Sequence, residues 1–519
     1  MTYLKSLTEK LGSRKLNKQD IQDFELGLLP DFITPPVNQP IMSGEAASPG
    51  AATGRIALSK EDVQTYKGEA ILVKDETKAE DVPSIRRSNG LLAIKGGVSS
   101  HAAIITRGYG IPCITGCQNL RIIPDVGVFI EGTKFTVGQY ISFRNGKVYP
   151  EGCKTNQGII YQVINNPDTN ASYQEFLQQV DMILGGRFTV KSNSDDPLSA
   201  RIAKILGAKG IGVVRTEHMF FDTSDQERLH YMLRMLMANE CEERESALKE
   251  LYSMQVQDFE GIFREVKPYQ VTIRLLDPPL HEFIPNSDKD LEALATKLRI
   301  PVEKIIERKG SLEQSDPMMG IRGVRLSVIY PEIYTMQVRA IFEAARSQNV
   351  KPEIMIPSVA DPAELTYVDS EIITPLSKKF GIEYSLACMI ETPRATEEQI
   401  AKKLAELANA FSFGTNDLTQ YTFGMSRDLA GFLEIAEKVG TTPKGLFKTI
   451  DRAGVGSSIV RAVNSARVSN PGITIGVCGE HGGDPESIDF FINEAKVDYV
   501  SCSPFRVPIA LLTAAYNFQ

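Results

Sequence analysis

The sequence lacks long hydrophobic stretches and an excess of basic residues. No apolar run approaches the roughly 18 residues that a bilayer-spanning helix needs, and the polar N-terminus MTYLKSLTEKLGSRKLNKQD has no signal-peptide core. Lys and Arg number 57 against 65 Asp and Glu, for a formal net charge of -8. These absences argue against a membrane segment and against nucleic acid as the main partner, because no basic surplus is available to neutralise phosphates.

Paired cysteines are missing as well. The chain has seven cysteines, none of them in a CxxC pair, and an odd number does not fit a complete set of disulfides. Reduced thiols in a cytoplasmic protein are the simplest interpretation. The chain also has no low-complexity tract and no fixed internal repeat, so a solenoid is not indicated.

What is present is an ordinary globular composition spread over 519 residues, enough for several domains. Residues 1–45 predict a helical lead-in that ends in the proline-rich stretch LLPDFITPPVNQP. Residues 46–160 alternate short β-type runs with turns and predict a compact β/α domain. Residues 161–185 predict a helical linker, because turn formers are followed there by one amphipathic stretch.

Residues 186–519 alternate apolar β-type runs with long helical stretches, which is typical of a parallel α/β fold. A (β/α)8 barrel fits this length best. The pattern offers nine candidate strands for eight places, so one of them is wrong. The candidates are RFTVKSNS, KGIGVVRTE, QVTIRLLD, RGVRLS, PEIMIPSV, YSLACMIE, AFSFGTND, ITIGVCGE and YVSCSP.

Polar side chains follow most of these apolar runs. In a barrel the carboxyl ends of the strands converge on one mouth, where barrel enzymes place their chemistry. The residues that would meet there are Arg215, Glu217, Arg274, Asp277, Arg322, Arg325, Glu391, Asn416, Asp417, Cys478 and Glu480. As a set they predict a site, although any one of them alone could simply mark a strand end next to solvent.

The residue types at this mouth fit an anionic substrate. Arginines offer planar, bidentate contacts to phosphate or carboxylate oxygens. Glu391 and Asp417 are hard oxygen ligands, suited to Mg²⁺ held by two carboxylates and a substrate phosphate. Cys478 has no second cysteine or histidine next to it, so it is either a small buried apolar residue or an acid–base group tuned by nearby charge.

One of the five histidines lies in an unusual setting. The stretch GGVSSHAAIITRGYG places His101 after two glycines and two serines, where a short helix is predicted to begin. The start of a helix presents free N–H groups and the positive end of the helix dipole, which stabilise an anion. A phosphoryl group on this imidazole would be favoured there; the alternative is a neutral histidine satisfied by local hydrogen bonds.

The stretch GGVSSHAAIITRGYGIPCITG closely resembles the phosphohistidine swivelling domain of the phosphoenolpyruvate (PEP)-utilising enzymes. Six further segments are similar to the PEP/pyruvate barrel of that family, in the form found in pyruvate, phosphate dikinase. They are GAKGIGVVRTEHMFF, TIRLLDPPLHEFIP, PEIMIPSV, FSFGTNDLTQ, GVCGEHGGDPESI and DYVSCSPFRVPIA. The resemblance implies a swivelling β/α domain followed by a (β/α)8 barrel.

The resemblance also implies a role for each candidate residue. It makes His101 the phosphoryl carrier and Cys478 the acid that protonates the pyruvate enolate. Glu391 and Asp417 would bind Mg²⁺. The residues that would hold the phosphate and carboxylate groups of the substrate are Arg215, Arg274, Arg322, Thr415 and Asn416.

The chain departs from the family pattern in two respects. Dikinases of this type carry an ATP-grasp region of several hundred residues before the swivelling domain, and only about 45 residues precede it here, so we expect that this chain is not a complete ATP-dependent dikinase. Four barrel positions also differ from the expected residue types, and we expect them to lie near the mouth or its loops and to alter the acceptor or partner surface. They are Ile321, Val324, Ser327 and Thr392.

The sequence therefore predicts a PEP-dependent phosphotransferase that loads His101 and releases pyruvate. The phosphoryl group would pass on to an acceptor held by a separate nucleotide-binding chain, or to a small molecule. Two alternatives stay open: a phosphocarrier that donates to a carrier protein, like enzyme I of the sugar phosphotransferase system, and a catalytically silent regulatory subunit. Barrel enzymes of this resemblance are commonly dimers, so a homodimer through the barrel is expected.

Overall fold

Two large sheets with separate cores, together with a third sheet of three strands in the N-terminal region, organise the chain in the computed structural model. The structure describes residues 2–28, 30–33, 36–77, 81–95, 102, 106, 109–117, 119–124, 126–156, 158–167, 170–219, 226–238, 240–284, 288–298, 300–427 and 429–519. The first sheet belongs to the N-terminal β/α region and the second is a closed barrel. The α/β class and the barrel predicted from the sequence are confirmed.

The N-terminal region contains eleven strands within the described residues: β1 Met42–Ser43, β2 Glu45–Ser48, β3 Ala51–Ala57, β4 Ala70–Lys74, β5 Gly90–Ala93, β6 Cys113–Thr115, β7 Leu120–Ile123, β8 Gly127–Ile130, β9 Thr133–Thr136, β10 Tyr140–Arg144 and β11 Lys147–Tyr149. Eight of them form a mixed sheet in the order β1-β11-β10-β3-β4-β5-β6-β2. Helices Lys60–Thr65 and Val82–Arg86 connect the parallel strands β3, β4 and β5.

Strand β4 shows why this sheet has a core on both faces. Its residues alternate, so Ile71 and Val73 pack into one hydrophobic cluster while Ala70 and Leu72 pack into another. A strand buried on both faces is apolar at every position rather than at every second one. Burial on both faces explains why β4 is a continuous apolar run, AILV, in the sequence.

The barrel consists of eight parallel strands in sequence order: β12 Thr189–Asn193, β13 Ile211–Arg215, β14 Val271–Arg274, β15 Glu353–Ile356, β16 Ser385–Ile390, β17 Ala410–Phe413, β18 Thr474–Val477 and β19 Tyr499–Cys502. Pairing of β12 with β19 closes it. The described helices around it are Pro197–Ile205, Gln226–Met237, Cys241–Val266, Asp288–Leu298, Val302–Leu312, Val324–Ile329, Pro331–Gln348, Pro362–Val368, Thr374–Phe380, Glu398–Leu407, Thr415–Phe423, Ala430–Val439, Ser457–Ser469, Pro485–Asn493 and Val507–Asn517.

The ninth candidate strand, RGVRLS, is wrong, because this stretch enters the helix Val324–Ile329. Gly323 has φ +55°, which a strand residue does not adopt. Val324 and Ser327 are both buried, and a spacing of three places them on one face of a helix. The serine hydroxyl donates to the carbonyl oxygen of Val324 at 2.6 Å, as a helical turn allows.

Helices at the N-terminus and between the two sheets pack against the barrel. They are Thr2–Gly12, Lys18–Leu28, Gly158–Asn165 and Ala171–Leu184. The rings of Phe24 and Phe176 lie 5.4 Å apart, and Glu25 accepts a hydrogen bond from Arg506 at 2.5 Å. The lead-in is therefore part of the barrel's hydrophobic core. The domain boundaries set from the sequence stay predictions.

All seven cysteines are free thiols, and those at 113, 117, 388, 478 and 502 are buried. Among the described residues, no helix combines the length and the apolar composition that a membrane crossing requires. The cytoplasmic location stays a prediction.

A polar network that includes the buried residues Lys191, Thr272 and Glu353 links strands β12, β14 and β15. The Lys191 ammonium lies 3.4 Å from the Gln270 amide oxygen, and the Gln270 amide nitrogen donates to Glu353 at 3.2 Å. Thr272 donates to the other oxygen of this carboxylate at 2.6 Å. Burial lowers the pKa of Lys191, and the charge of Glu353 partly offsets this effect. Glu353 is thus the negative charge that stabilises the buried ammonium group of Lys191.

Removing that countercharge should destabilise the barrel. We expect Glu353→Ala to lower the free energy of unfolding, measured by urea titration, by about 3 kcal/mol, because it leaves Lys191 as an uncompensated buried cation. Glu383→Ala is the matched control. Glu383 is 91% exposed and lies 3.9 Å from Lys351, so its loss should cost less than about 0.5 kcal/mol. Equal losses in the two variants would contradict the role given to Glu353.

Candidate active site

Most of the residues predicted to form a site line one cavity at the carboxyl ends of the barrel strands. Its volume is about 730 Å³. The predicted residues that line it are Arg215, Glu217, Arg274, Asp277, Arg322, Glu391, Asn416, Asp417, Cys478 and Glu480, whereas Arg325 does not line it. His101 lies outside the described residues, and Thr415 does not line the cavity. The strand ends converge as a barrel requires.

Three carboxylates form an acidic cluster in this cavity. Asp277, Glu391 and Asp417 each offer one oxygen, and these oxygens lie within 4.8 Å of one another. Ser358 joins two of them, because its hydroxyl oxygen lies 3.1 Å from both Asp277 and Glu391. Metal binding is predicted for Glu391 and Asp417, and the structure brings Asp277 to the same place. Hard oxygens at this spacing fit Mg²⁺.

Crowding of negative charge shifts the acid strengths in the cluster. Burial raises the pKa of Glu391 above its ordinary value, and the charges of Asp417 and Asp277 raise it further. Burial would also raise the pKa of Asp277, but the guanidinium groups of Arg322 and Arg274 lower it below its ordinary value. A divalent cation among these oxygens would relieve the repulsion that acts on Glu391.

Two arginines lie among these acids. Arg322 Nη2 donates to Asp277 Oδ2 at 2.5 Å and to Asp417 Oδ2 at 2.8 Å. Arg274 pairs with Glu217, and its Nη1 lies 3.1 Å from Asp277 Oδ2. Among the described residues, no acceptor contacts the buried Nε of Arg274. A buried donor without a protein partner suits a site that binds an oxyanion.

Asp195, which is not among the residues predicted from the sequence, holds the third arginine, Arg215. The Asp195 carboxylate accepts from Arg215 Nη2 at 2.8 Å and from its backbone N–H at 2.8 Å. His218 Nδ1 lies 2.7 Å from the same carboxylate. Burial would raise the pKa of Asp195, but the charges of Arg215 and His218 lower it below the ordinary value. Its position two residues after β12 was the signal that could have identified it.

Cys478 lies on an apolar floor of the cavity. The cluster around it consists of Val213, Met355, Ala387, Met389 and Ala410. Burial raises the pKa of the Cys478 thiol to about 11, although the nearby Ser412 hydroxyl acts in the opposite direction. The thiol is therefore neutral near pH 7 and holds a proton that it can donate.

Asn416 and Thr415 have different surroundings although they are neighbours in the chain. The Asn416 side-chain oxygen accepts from the backbone N–H of Glu480 at 3.1 Å, and the residue lines the cavity. Thr415 is buried, and its hydroxyl lies 2.8 Å from His481 Nδ1. Thr415 therefore supports the segment around His481 behind the cavity and does not face the cavity itself.

The N-terminal sheet region contacts the barrel beside this mouth. Arg86 Nη2 lies 3.5 Å from Asp196 Oδ2, and the Arg86 guanidinium stacks on Tyr109 at 4.5 Å. Gly110 lies so close to Phe505 that a Cβ would be 2.6 Å from a ring atom. Tyr109 and Gly110 belong to the motif that contains His101. The end of that motif is therefore held next to Asp196 and Phe505.

The four departures from the family pattern do not line the cavity. Ile321 is 41% exposed, whereas Val324, Ser327 and Thr392 are buried. The Thr392 hydroxyl donates to the carbonyl oxygen of Val359 at 3.0 Å. Ile321, Val324 and Thr392 lie within two residues of Arg322 or Glu391 in the chain. The expected effect of the four positions on the acceptor or partner surface stays a prediction.

Two family models match the chain. The model of the PEP-binding domain of PEP-utilising enzymes matches residues 171–516. The model of the mobile domain of PEP-utilising enzymes matches residues 66–138. The first covers the whole barrel, and the second includes the His101 motif.

Several curated relatives are similar over almost the whole chain. Pyruvate, phosphate dikinase of Flaveria pringlei, a chloroplastic protein, is 41% identical over 520 residues, which cover 96% of this chain and 53% of the relative. Pyruvate, phosphate dikinase of Rhizobium meliloti (strain 1021) is 41% identical over 505 residues, which cover 94% and 55%. Pyruvate, phosphate dikinase 1 of Arabidopsis thaliana, also chloroplastic, is 42% identical over 494 residues, which cover 92% and 50%. The chain spans about half the length of these relatives.

Proposed function

This chain belongs to the family of PEP-utilising enzymes, and we propose that it transfers the phosphoryl group of PEP to His101 and releases pyruvate. The observation that carries this proposal is that one cavity brings together the three predicted arginines, the carboxylate cluster of Asp277, Glu391 and Asp417, and a buried neutral thiol. PEP carries a phosphate, a carboxylate and an enol carbon. The cavity offers a chemically matched group to each of them.

Substrate binding falls to the arginines in this proposal. Arg215, Arg274 and Arg322 would share the phosphate and carboxylate oxygens, since guanidinium groups bind such oxygens in pairs. Their own acidic partners fix them in place before substrate arrives, so little reorganisation is needed at the moment of reaction. The side-chain amide of Asn416 lines the same cavity and would contact the phosphoryl group.

Glu391 and Asp417 would hold Mg²⁺, with the Asp277 oxygen close to both. When bound, the ion supplies positive charge that stabilises the oxygens of the transferring group. The protein's own contribution is to keep these carboxylates together in a buried place and to surround them with arginines.

In the proposed transfer an imidazole nitrogen of His101 forms a bond to phosphorus while the bond between phosphorus and the enol oxygen breaks. The electron pair of the broken bond stays on that oxygen and produces the enolate of pyruvate. Cys478 then donates its thiol proton to the methylene carbon, and the resulting thiolate regains a proton from solvent. PEP, His101 and one proton thus become pyruvate and phosphohistidine.

The test is to incubate the chain with PEP and Mg²⁺ and to measure pyruvate and the mass of the intact protein. We expect one phosphoryl group per chain, an equal amount of pyruvate, and modification of the peptide that contains His101 after proteolysis. His218, His230, His281 and His481 serve as internal controls, because each lies in a different peptide region. Modification of one of these instead, or no modification, would refute the proposal.

We further propose that the phosphoryl group moves on from His101 to an acceptor. The acceptor is bound by another domain or by a separate nucleotide-binding chain, or it is a free small molecule. The match to a mobile domain supports a phosphoryl carrier that moves between the barrel site and a second site. The relatives named as dikinases favour a nucleotide as the acceptor. Adding candidate acceptors to the phosphorylated chain tests this. Loss of the phosphoryl group with an acceptor, and not in buffer, identifies the acceptor; retention with every nucleotide tried would contradict the nucleotide assignment.

A homodimer through the barrel completes the proposal. Helix Ala430–Val439 exposes Phe432, Ile435 and Val439 at 53%, 62% and 67%, and such an apolar face favours a protein contact. We expect sedimentation to give a dimer for the unmodified chain and a monomer for Ile435→Glu. Val468→Glu is the control, because Val468 is 73% exposed on a different helix. A dimer that survives Ile435→Glu would exclude this face.

A further inference from the structure

Arg322 occupies an unusual place within the acidic cluster. Its Nη2 lies 2.5 Å from Asp277 Oδ2 and 2.8 Å from Asp417 Oδ2, and its Nε lies 3.3 Å from Asp277 Oδ1. The side chain is 13% exposed. Asp277 and Asp417 are two of the three carboxylates whose oxygens lie within 4.8 Å of one another. One guanidinium group therefore contacts oxygens that a divalent cation would use.

The two carboxylates differ in what else compensates their charge. Asp277 also has Arg274 at 3.1 Å and the hydroxyl of Ser358 at 3.1 Å. Asp417 has the amide of Gln420 at 3.2 Å, and within the described part of the chain Arg322 is its one ion-pair partner. Without Arg322, Asp417 would thus lose its ion-pair partner, whereas Asp277 would keep Arg274.

The backbone fixes where the Arg322 side chain starts. The N–H of Gly323 donates to the carbonyl oxygen of Asp277 at 2.8 Å, and the N–H of Val324 donates to that of Pro357 at 3.0 Å. A Cβ on Gly323 would lie 2.5 Å from the side chain of Ser358. With the backbone pinned at this spot, the guanidinium group can move only by rotation of its own side chain.

We propose that Arg322 is an internal counter-ion that competes with the divalent metal for Asp417. Binding of the metal displaces Nη2 from Asp417, while the contact of Nε with Asp277 keeps the side chain at the cavity. The released Nη2 then donates to an oxygen of the anionic substrate. Metal and substrate are coupled through one guanidinium group, and the inference rests on the proposed function, in which these carboxylates hold a divalent ion.

A competitor within the protein lowers the apparent affinity for the metal, because part of the binding free energy is used to displace it. Removing the positive charge from position 322 should therefore strengthen metal binding even though it weakens substrate binding. A guanidinium that served the substrate alone would leave metal affinity unchanged when removed. A guanidinium that supported the carboxylates as metal ligands would, when removed, weaken metal binding.

The test is Mn²⁺ binding to the whole chain without substrate, measured at fixed pH by calorimetry and by the electron paramagnetic resonance signal of free Mn²⁺. We expect Arg322→Gln to bind Mn²⁺ about tenfold more tightly than the unmodified chain. Arg322→Lys keeps the charge but loses the planar group that contacts Asp277 and Asp417 at once, so it should compete less strongly and show a smaller gain. Arg325→Gln is the control, because Arg325 is exposed and donates to the carbonyl oxygens of Met319 and Gly320.

Unchanged or weaker Mn²⁺ binding in Arg322→Gln, with Arg325→Gln like the unmodified chain, would overturn the inference and leave the proposed function standing. Failure of the unmodified chain to bind Mn²⁺ would overturn both the inference and the metal part of the proposal. If Arg322→Gln did not fold, as judged by its melting transition, the Arg322→Lys variant would decide the matter. A gain in its Mn²⁺ affinity supports the inference, and a loss or no change opposes it.

Discussion

Replacing Cys478 by alanine should lower the rate of pyruvate formation about 10³-fold, within the range that general acids contribute. The binding of a phosphonate analogue of PEP should change less than about threefold. The thiol lies on the apolar floor of the cavity, among Val213 and Met389, whereas the proposed partners of the phosphate and carboxylate groups are the arginines. The variant should therefore bind substrate and fail to protonate the enolate.

The measurement compares analogue binding by calorimetry with pyruvate release under saturating PEP. Cys388→Ala is the matched control, because Cys388 is a buried thiol on barrel strand β16 that does not line the cavity. It should reduce stability without separating binding from turnover. Equal loss of binding and turnover in Cys478→Ala would mean that the thiol serves only to fill space.

The acidity of Cys478 adds a pH dependence that differs between the two directions of the reaction. Burial raises its pKa to about 11, so the thiol stays protonated between about pH 7 and 9 and this group should not limit PEP consumption there. Formation of enolate from pyruvate needs the thiolate. Its rate should rise about tenfold per pH unit over the same range, measured as exchange of the pyruvate methyl protons.

Replacing Arg274 by lysine should lower kcat/KM for PEP about 10³-fold, which corresponds to about 4 kcal/mol of lost transition-state stabilisation. A lysine ammonium cannot present several donors in one plane. In this cavity Arg274 contacts Glu217 and Asp277 at once and still has its Nε free of any acceptor among the described residues. Lysine would keep the charge but could not contact Glu217 and Asp277 at once and still offer a free donor.

Arg274→Met separates that geometric loss from the loss of charge. It leaves Glu217 and Asp277 buried without this partner and should lower the free energy of unfolding by about 3 to 5 kcal/mol, whereas Arg274→Lys should retain most of the stability. The measurements are steady-state kinetics with PEP and urea unfolding. Arg325→Lys is the control in both. A lysine variant with unchanged kcat/KM would show that charge alone suffices.

Much of the fold follows from local pattern. The alternation of apolar runs with helical stretches identified eight strands correctly, because parallel strands buried on both faces are apolar throughout. The segment that failed, RGVRLS, is equally apolar in places, and its helix depends on the backbone of Gly323 and on what Val324 packs against. A short apolar run does not carry that information.

By itself the sequence determined which residue types stand at the strand ends, and therefore that arginines, carboxylates and a thiol would meet at one mouth. This follows because the direction of parallel strands decides which chain positions share an edge. The sequence predicts a common location for Arg215, Arg274 and Cys478, but it does not determine the distances among them.

Only the tertiary structure decided how those groups pair. It placed Asp277 with Glu391 and Asp417, gave Asp195 to Arg215 and put the Arg322 guanidinium on two carboxylates at once. These pairings join side chains from different loops at separations of a few ångströms. No periodicity along the chain encodes such distances, because they result from how all eight strands and their loops pack together.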